Sequence, residues 1–315
     1  MTSVVVFGSI NMDVVTACGR HPRVGETVIG NSVAFHPGGK GANQAIAAAR
    51  CAGKSFLIGS VGDDDFGRRM LGYLQANDVD TTGVVLETSG STGVAIITVD
   101  AQGENTIVVT PGANALAKAP RHLPGTVSGG VIALAQLESA IEEITRIFAK
   151  VKVNGGTTIL NPSPYRPLPQ ELLQSTSIII MNEHEFAQLT GRPTINEPQE
   201  LVAYLNSADL PLPCCIITLG AGGFILAEQS RAPIHWDGHH VEVRDTTGAG
   251  DCFAGWFAAE LAAGRDLEDA ARRANAAAAI SVTRAGAGPS MPSKAEAENL
   301  LRPNAGPPLG MIIRQ

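Results

Sequence analysis

The residues best suited to chemistry are Asp245-Thr246-Thr247-Gly248-Ala249-Gly250-Asp251. They lie between an apolar alternation, Val241-Glu242-Val243, and a long apolar run over residues 252–263. That pattern predicts strand, glycine turn, helix. Such a turn aims backbone N–H groups, and the positive end of a helix dipole, at one point. The point suits a phosphate or a developing oxyanion. Asp251 falls in the first turn of the helix, where two roles are open. It is either a capping acid that complements the dipole or a general base beside an anion hole.

Three further stretches carry polar groups at element ends. Gly8-Ser9-Ile10-Asn11-Met12-Asp13 closes a buried strand, where open α/β sheets bind ligands, although Asn and Asp also favour plain turns. Pro37-Gly38-Gly39-Lys40-Gly41-Ala42-Asn43-Gln44 leads into an alanine-rich helix over 45–51. Its glycines permit close backbone approach at a helix N-terminus. It is not a P-loop, because Gly41 follows Lys40 and the upstream spacing fails. A glycine turn with a solvated lysine is the plainer account. The loop Arg284-Ala285-Gly286-Ala287-Gly288-Pro289-Ser290 either offers carbonyls to a cation, with Asp245 completing the site, or is a C-cap and turn. His235, His239 and His240 have no cysteine or carboxylate at metal-ligand spacing, so no metal is expected there.

The elements that must position these groups follow from composition and period. The chain has 315 residues, 44% hydrophobic and 17% charged, enough for a sizeable core. A formal charge of −7 with only scattered basic pairs argues against nucleic acid. No apolar run reaches a membrane span, and no leader is expected before the first strand. Five cysteines without a C-x-x-C pair suit a reducing compartment, so a cytoplasmic location is expected. Strands are predicted at 3–9, 56–61, 84–86, 131–135, 157–160, 178–181 and 214–219, and helices at 64–76, 141–151, 252–263 and 267–283. The segments 115–130 and 303–315 read as loop and tail. Several strands end in polar or glycine-rich residues, which in a doubly wound sheet share one crevice. Residues 25–37 suggest one or two short strands, and 91–99 with 105–110 form a hairpin around Asp100-Ala101-Gln102-Gly103. The expected fold is α/β: a doubly wound, mostly parallel sheet flanked by helices, with a small β-sheet added. The main domain is assigned 1–10, 40–90 and 111–315, and the small sheet 11–39 and 91–110.

These motifs, with Gln136-Leu137-Glu138, Asn182-Glu183-His184-Glu185, Thr218-Leu219-Gly220 and Gly286-x-Gly288-Pro289-Ser290, resemble the ribokinase-like carbohydrate kinases over nearly the whole length. Asn11-x-Asp13, Gly38-Gly39-Lys40-Gly41-Ala42-Asn43 and Gln136-Leu137-Glu138 point to the ribose-phosphorylating branch. The resemblance implies transfer of the γ-phosphoryl group of ATP to the 5-hydroxyl of D-ribose. It places the base on Asp251 and the anion hole on Gly248, Ala249 and Gly250. It puts the sugar on Asn11, Asp13, Gly38, Gly39, Lys40, Asn43, Glu138 and Asp251, and the nucleotide on Asn182, Thr218, Gly220, Gly223, Gly250 and Asn275. Mg²⁺ falls to Glu185 through water, and K⁺ to Asp245, Thr247, Ser281, Arg284, Gly286 and Ser290. The small sheet matches the family's lid, which also pairs subunits into a homodimer. The His36-Pro37 pair is a departure within that lid. The competing readings are a kinase for deoxyribose, fructose, adenosine or pseudouridine, and a catalytically silent sugar-binding regulator.

Overall fold

The first strand sets the architecture. β1 (Ser3–Phe7) is apolar from Val4 onward. Alternate side chains point to opposite faces, so Val4 and Val6 enter one core while Val5 and Phe7 enter another. A strand buried on both faces belongs inside a parallel sheet covered by helices on each side. The computed structural model, which describes residues 3–123, 130–207, 213–229 and 231–302, has that arrangement. Positions 124–129 of the expected loop, and the expected tail at 303–315, lie outside the described residues.

After β1 come β2 (Asn11–Cys18), β3 (Gly30–Gly38), α1 (Lys40–Ala52), β4 (Ser55–Gly62), α2 (Asp65–Gln75) and β5 (Val79–Glu87). The hairpin β6 (Gly93–Val99) and β7 (Asn105–Thr110) follows. Then come β8 (Val131–Gln136), α3 (Ile141–Val153), β9 (Thr157–Asn161), α4 (Gln170–Ser175), β10 (Ile178–Asn182), α5 (Glu183–Thr190) and α6 (Pro198–Ser207). The described chain closes with β11 (Cys214–Thr218), β12 (Phe224–Glu228), β13 (Arg231–Trp236), α7 (Ala249–Ala262), α8 (Leu267–Ser281) and α9 (Lys294–Leu300).

The main sheet has nine strands in the order β13-β12-β11-β10-β9-β8-β1-β4-β5, parallel except at β12 and β13. One face packs against α1, α2, α7, α8 and α9, the other against α3 to α6. Register brings the strand ends into line: Gln136 sits beside Asn161, and Asn182 beside Thr218. The predicted polar crevice is thus one edge of this sheet. Among the described residues, no helix is long and apolar enough to cross a membrane.

The four-stranded small sheet runs β3-β2-β6-β7. Asp13 registers with Ala95, and Ala95 with Val109, so these side chains share a face. β3 carries His36 and Pro37 without interruption, opposite Asp13 and Met12. Proline is tolerated because β3 is an edge strand.

The structure corrects three boundaries. Val241-Glu242-Val243 forms no strand; β13 ends at Trp236, and the N–H groups of Arg244 and Asp245 both go to the Val282 carbonyl at the end of α8. Val243 is 58% exposed, so its alternation does not record burial. The last strands are instead the hairpin β12–β13, which the sequence reading passed over. Finally, α1 begins at Lys40 and α7 at Ala249, each behind a glycine with positive φ, Gly39 and Gly248.

Candidate active site

The site begins with a close helix crossing. A Cβ on Gly255 of α7 would stand 2.3 Å from the Gln44 carbonyl oxygen and 2.7 Å from Ala47 Cβ. Only glycine lets α1 and α7 approach so closely. Asp251 lies one turn earlier on the same face of α7, and the crossing carries it against the N-terminal part of α1. Asn43 Nδ2 donates to Asp251 Oδ2 at 2.9 Å, and Gln44 Nε2 donates to Oδ1 at 2.9 Å. The carboxyl is buried. Burial raises its proton affinity above the ordinary carboxylate range, against the pull of Lys40 and the two amide donors.

Gly248 precedes α7 at φ 78, and the N–H groups of the first turn have no intrahelical acceptor. The Ala249 N–H turns back to the Thr246 carbonyl at 3.2 Å. Gly250 faces the neighbouring cleft. Asp251 therefore stands between the buried side-chain amides of Asn43 and Gln44 and the cleft that its neighbour Gly250 lines.

On the other side, Asn114 Nδ2 donates to Asn11 Oδ1 at 2.7 Å and to the Ile10 carbonyl at 3.2 Å, while its Oδ1 accepts the Ile10 N–H at 2.8 Å. Asn11 is thereby fixed at the mouth of β2. Glu138 accepts the Ser9 hydroxyl and, at 3.3 Å, the Lys40 N–H. Asn11 and Glu138 border a recess of about 360 Å³ with Ser9, Val109 and Leu137. Asp13 packs over Gly38, where a Cβ would come within 2.3 Å of its carboxylate. Burial, then Glu138, pushes Asp13 up to about 6. Burial pulls the Lys40 ammonium down, but Asp251, Glu138 and Glu185 together hold it above its ordinary value. Lys40 is thus the positive centre among these carboxylates.

The cleft behind Gly250, about 400 Å³, is lined by Thr218, Gly220, Gly223, Gly250 and Asn275, five of the six expected nucleotide residues. Phe253, Val241, Val243 and Ala279 supply apolar walls. Asn275 Nδ2 donates to the Asp237 carbonyl at 3.0 Å. Gly223, at φ 83, is required by the return of β13, since a Cβ would meet the Trp236 carbonyl oxygen at 2.0 Å. The sixth residue, Asn182, caps α5 instead: its Oδ1 accepts the Glu185 N–H at 2.8 Å, and Glu185 returns the contact to the Asn182 N–H at 3.0 Å. Glu185 is buried, and burial raises its proton affinity despite the Asn182 N–H and Lys40.

The expected cation positions are only partly brought together. Asp245 Oδ1 accepts the Thr247 N–H at 2.9 Å and Oδ2 the Gly286 N–H at 2.7 Å, tying the two loops. Burial would raise its proton affinity, but bonds from Thr247 and Gly286 outweigh that and lower it. Ser281 and Ser290 donate to the Ala278 and Ala287 carbonyls, and Arg284 pairs with Glu296. Arg284 is itself a cation and can offer an ion only its backbone carbonyl, whereas the serine and Asp245 oxygens keep lone pairs beside the loop carbonyls. Among the described residues, no group of three or more His, Cys, Asp and Glu is placed to hold a metal. His235 contacts the Gly222 carbonyl at 2.8 Å.

Sequence reasoning missed Ser9, Gln44, Asn114 and Asn161 as site residues. Gln44 carried a signal, since it follows Asn43 in the glycine motif. With a helix starting at Lys40, they are its fourth and fifth residues, close to its N-terminus. Asn114 had none; its partners lie about a hundred residues away along the chain.

A model of the pfkB family carbohydrate kinases matches residues 1–294. The chain is 39% identical to the ribokinase of Bacillus subtilis over 96% of this chain and 100% of that protein. It is 36% identical to the ribokinase of Haemophilus influenzae over 93% and 96%. Among solved structures, that of Arabidopsis thaliana ribokinase complexed with ribose and ATP superposes with a TM-score of 0.86 at 32% identity, covering 96% of this chain and 99% of that one.

Proposed function

The chain belongs to the pfkB family of carbohydrate kinases, and on that premise we propose that it transfers the γ-phosphoryl group of ATP to the 5-hydroxyl of D-ribose. One observation carries the reading. The buried carboxylate of Asp251 stands at the junction between the apolar cleft behind Gly250 and the polar groups of α1, β2 and Glu138. A base there would reach a hydroxyl on one side and a phosphoryl group on the other.

Asn11, Asp13, Gly38, Gly39, Lys40, Asn43 and Glu138 supply donors and acceptors for sugar hydroxyls. Asp251 accepts the proton of the 5-hydroxyl as that oxygen bonds to phosphorus and the bond to the leaving ADP oxygen breaks. The N–H groups of Gly250 and Asp251 stabilise charge on the transferred oxygens. Thr218, Gly220, Gly223 and Asn275 hold the nucleotide against the apolar walls, with Asn182 shaping the end of β10. Mg²⁺, when bound, neutralises phosphate charge. Glu185, a buried carboxylate beside the crevice, would hold it through water. K⁺ is assigned to the Asp245–Ser290 loops, which would receive it mostly through backbone carbonyls. The five buried thiols support a cytoplasmic setting.

The test is steady-state turnover of ribose, 2-deoxyribose, fructose and adenosine. Ribose is expected to show the highest kcat/KM, with activity higher in K⁺ than in tetramethylammonium. A preference for adenosine or fructose would sink the substrate assignment, and equal rates in the two cations the K⁺ assignment.

The small sheet is proposed to act as a lid and to pair two subunits. Ile107 supports this: it is 54% exposed and registers with Ile97, on the face that also carries Asp13 and Val109. A second copy covering that face would also cover the sugar. Sedimentation equilibrium should show a dimer, and Ile107→Asp a monomer. A monomeric wild-type chain at micromolar concentration would refute the pairing.

A further inference from the structure

Gln44 is fully buried, and every polar atom of its side chain has a partner. The direction of those hydrogen bonds is fixed from outside. The Ile180 carbonyl can only accept, so Asn161 turns its Nδ2 toward it, at 2.9 Å. Asn161 Oδ1 then faces Gln44 and accepts from Gln44 Nε2 at 3.1 Å. The second Nε2 proton goes to Asp251 Oδ1 at 2.9 Å, and Gln44 Oε1 accepts from Gln136 Nε2 at 2.5 Å. A flipped Gln44 amide would set its oxygen against both Asp251 Oδ1 and Asn161 Oδ1. It would also oppose two NH₂ groups at Gln136. The backbone of β10 thus dictates which atom Gln44 presents to the carboxylate.

We propose that Gln44 is the positioning residue for the base: anchored through Asn161 to the Ile180 carbonyl, it holds one oxygen of Asp251 while Asn43 holds the other, fixing the carboxylate plane toward the sugar hydroxyl. Each carboxylate oxygen accepts about two hydrogen bonds, so each keeps a lone pair for the reaction. The inference rests on Asp251 acting as the base. It assigns Gln44 no contact with the sugar.

That separation defines the experiment. Gln44→Met keeps side-chain length and removes both donors. Its kcat for ribose is expected to fall about 10²-fold, the scale of an ångström-sized misplacement of a reacting group. Ribose KM, and ribose affinity by calorimetry, should stay near wild type. A kcat near wild type would overturn the proposal. So would a parallel loss of kcat and ribose affinity, because Gln44 would then merely join α1 to the sheet. Gln136→Leu decides the matter if Gln44→Met does not fold. It removes the donor that locks Gln44 Oε1, and a smaller loss confined to kcat is expected, an unchanged kcat counting against the proposal. Wild-type turnover and Asp251→Asn are measured alongside. A wild type inactive on ribose refutes the substrate assignment, and an active Asp251→Asn refutes the base itself. A working base with an unaffected Gln44→Met refutes only the positioning.

Discussion

Asp251→Asn is expected to lose about 10²–10⁴-fold in kcat, the usual contribution of a single positioned general base, while ribose KM changes little. The sugar retains its other partners, and only the proton acceptor is gone. Stability should move the other way. The proton affinity of the buried Asp251 carboxyl is raised. Above its unfolded pKa, the native state therefore holds that proton more tightly than the unfolded chain does, and stability falls as pH rises through the window between the two values. At neutral pH the wild type carries the cost of a buried charge that the neutral amide lacks. One opposing effect is that Asn43 and Gln44 both present NH₂ groups, and one of them must face the NH₂ of the introduced amide. The variant is expected to melt no lower than wild type at pH 7.5, a trade of stability for function common at active sites. Coupled ADP release and a thermal melt check both halves; a kcat within tenfold of wild type would remove Asp251 from the mechanism.

Local pattern was enough wherever burial on both faces forced an apolar run. Val4 to Phe7, Val131 to Ala135 and Ile178 to Met181 could hardly be anything but interior strands, and their polar ends located the crevice. It failed where burial was partial. Arg231-Ala232-Pro233-Ile234-His235-Trp236 is a half-exposed edge strand with neither alternation nor an apolar run, whereas Val241-Glu242-Val243 alternates without pairing. The site divides the same way. Residues inside glycine motifs, such as Asp251, Lys40 and Asn43, were marked by the turns around them. Their supports were less so: Asn161 was marked only as the polar end of a strand, with nothing naming Gln44 as its partner, and Asn114 is an isolated polar residue whose partners lie far along the chain. Nothing local distinguishes such a residue from a surface asparagine.

Gly39→Ala is expected to reduce kcat/KM at least 10²-fold, with a comparison built into the same helix. Gly39 and Gly53 flank α1, and both have positive φ, 91 and 82. A side chain costs backbone strain at either, about 1–3 kcal/mol, which lowers Tm by roughly 1–2 °C per kcal/mol in a chain of this size. The surroundings differ. A Cβ at Gly53 meets nothing within 4 Å. A Cβ at Gly39 would stand 2.7 Å from the Asn11 nitrogen, 2.8 Å from the Ser9 carbonyl oxygen and 3.0 Å from Ile10 Cα. All three are backbone atoms, so no rotamer change relieves the clash, and β2 must part from the start of α1. Lys40, Asn43 and Gln44 would move with the helix, away from Asn11 and out of register with Asp251. A displacement of about 1 Å suffices for the predicted loss, and both kcat and ribose affinity should suffer, because the sugar groups and the base supports share that turn. Gly53→Ala should lose stability alone. Kinetics and melts on the pair decide it: similar kcat/KM values for the two variants would show that the turn before α1 matters only as a glycine conformation and not as the hinge between sugar and base.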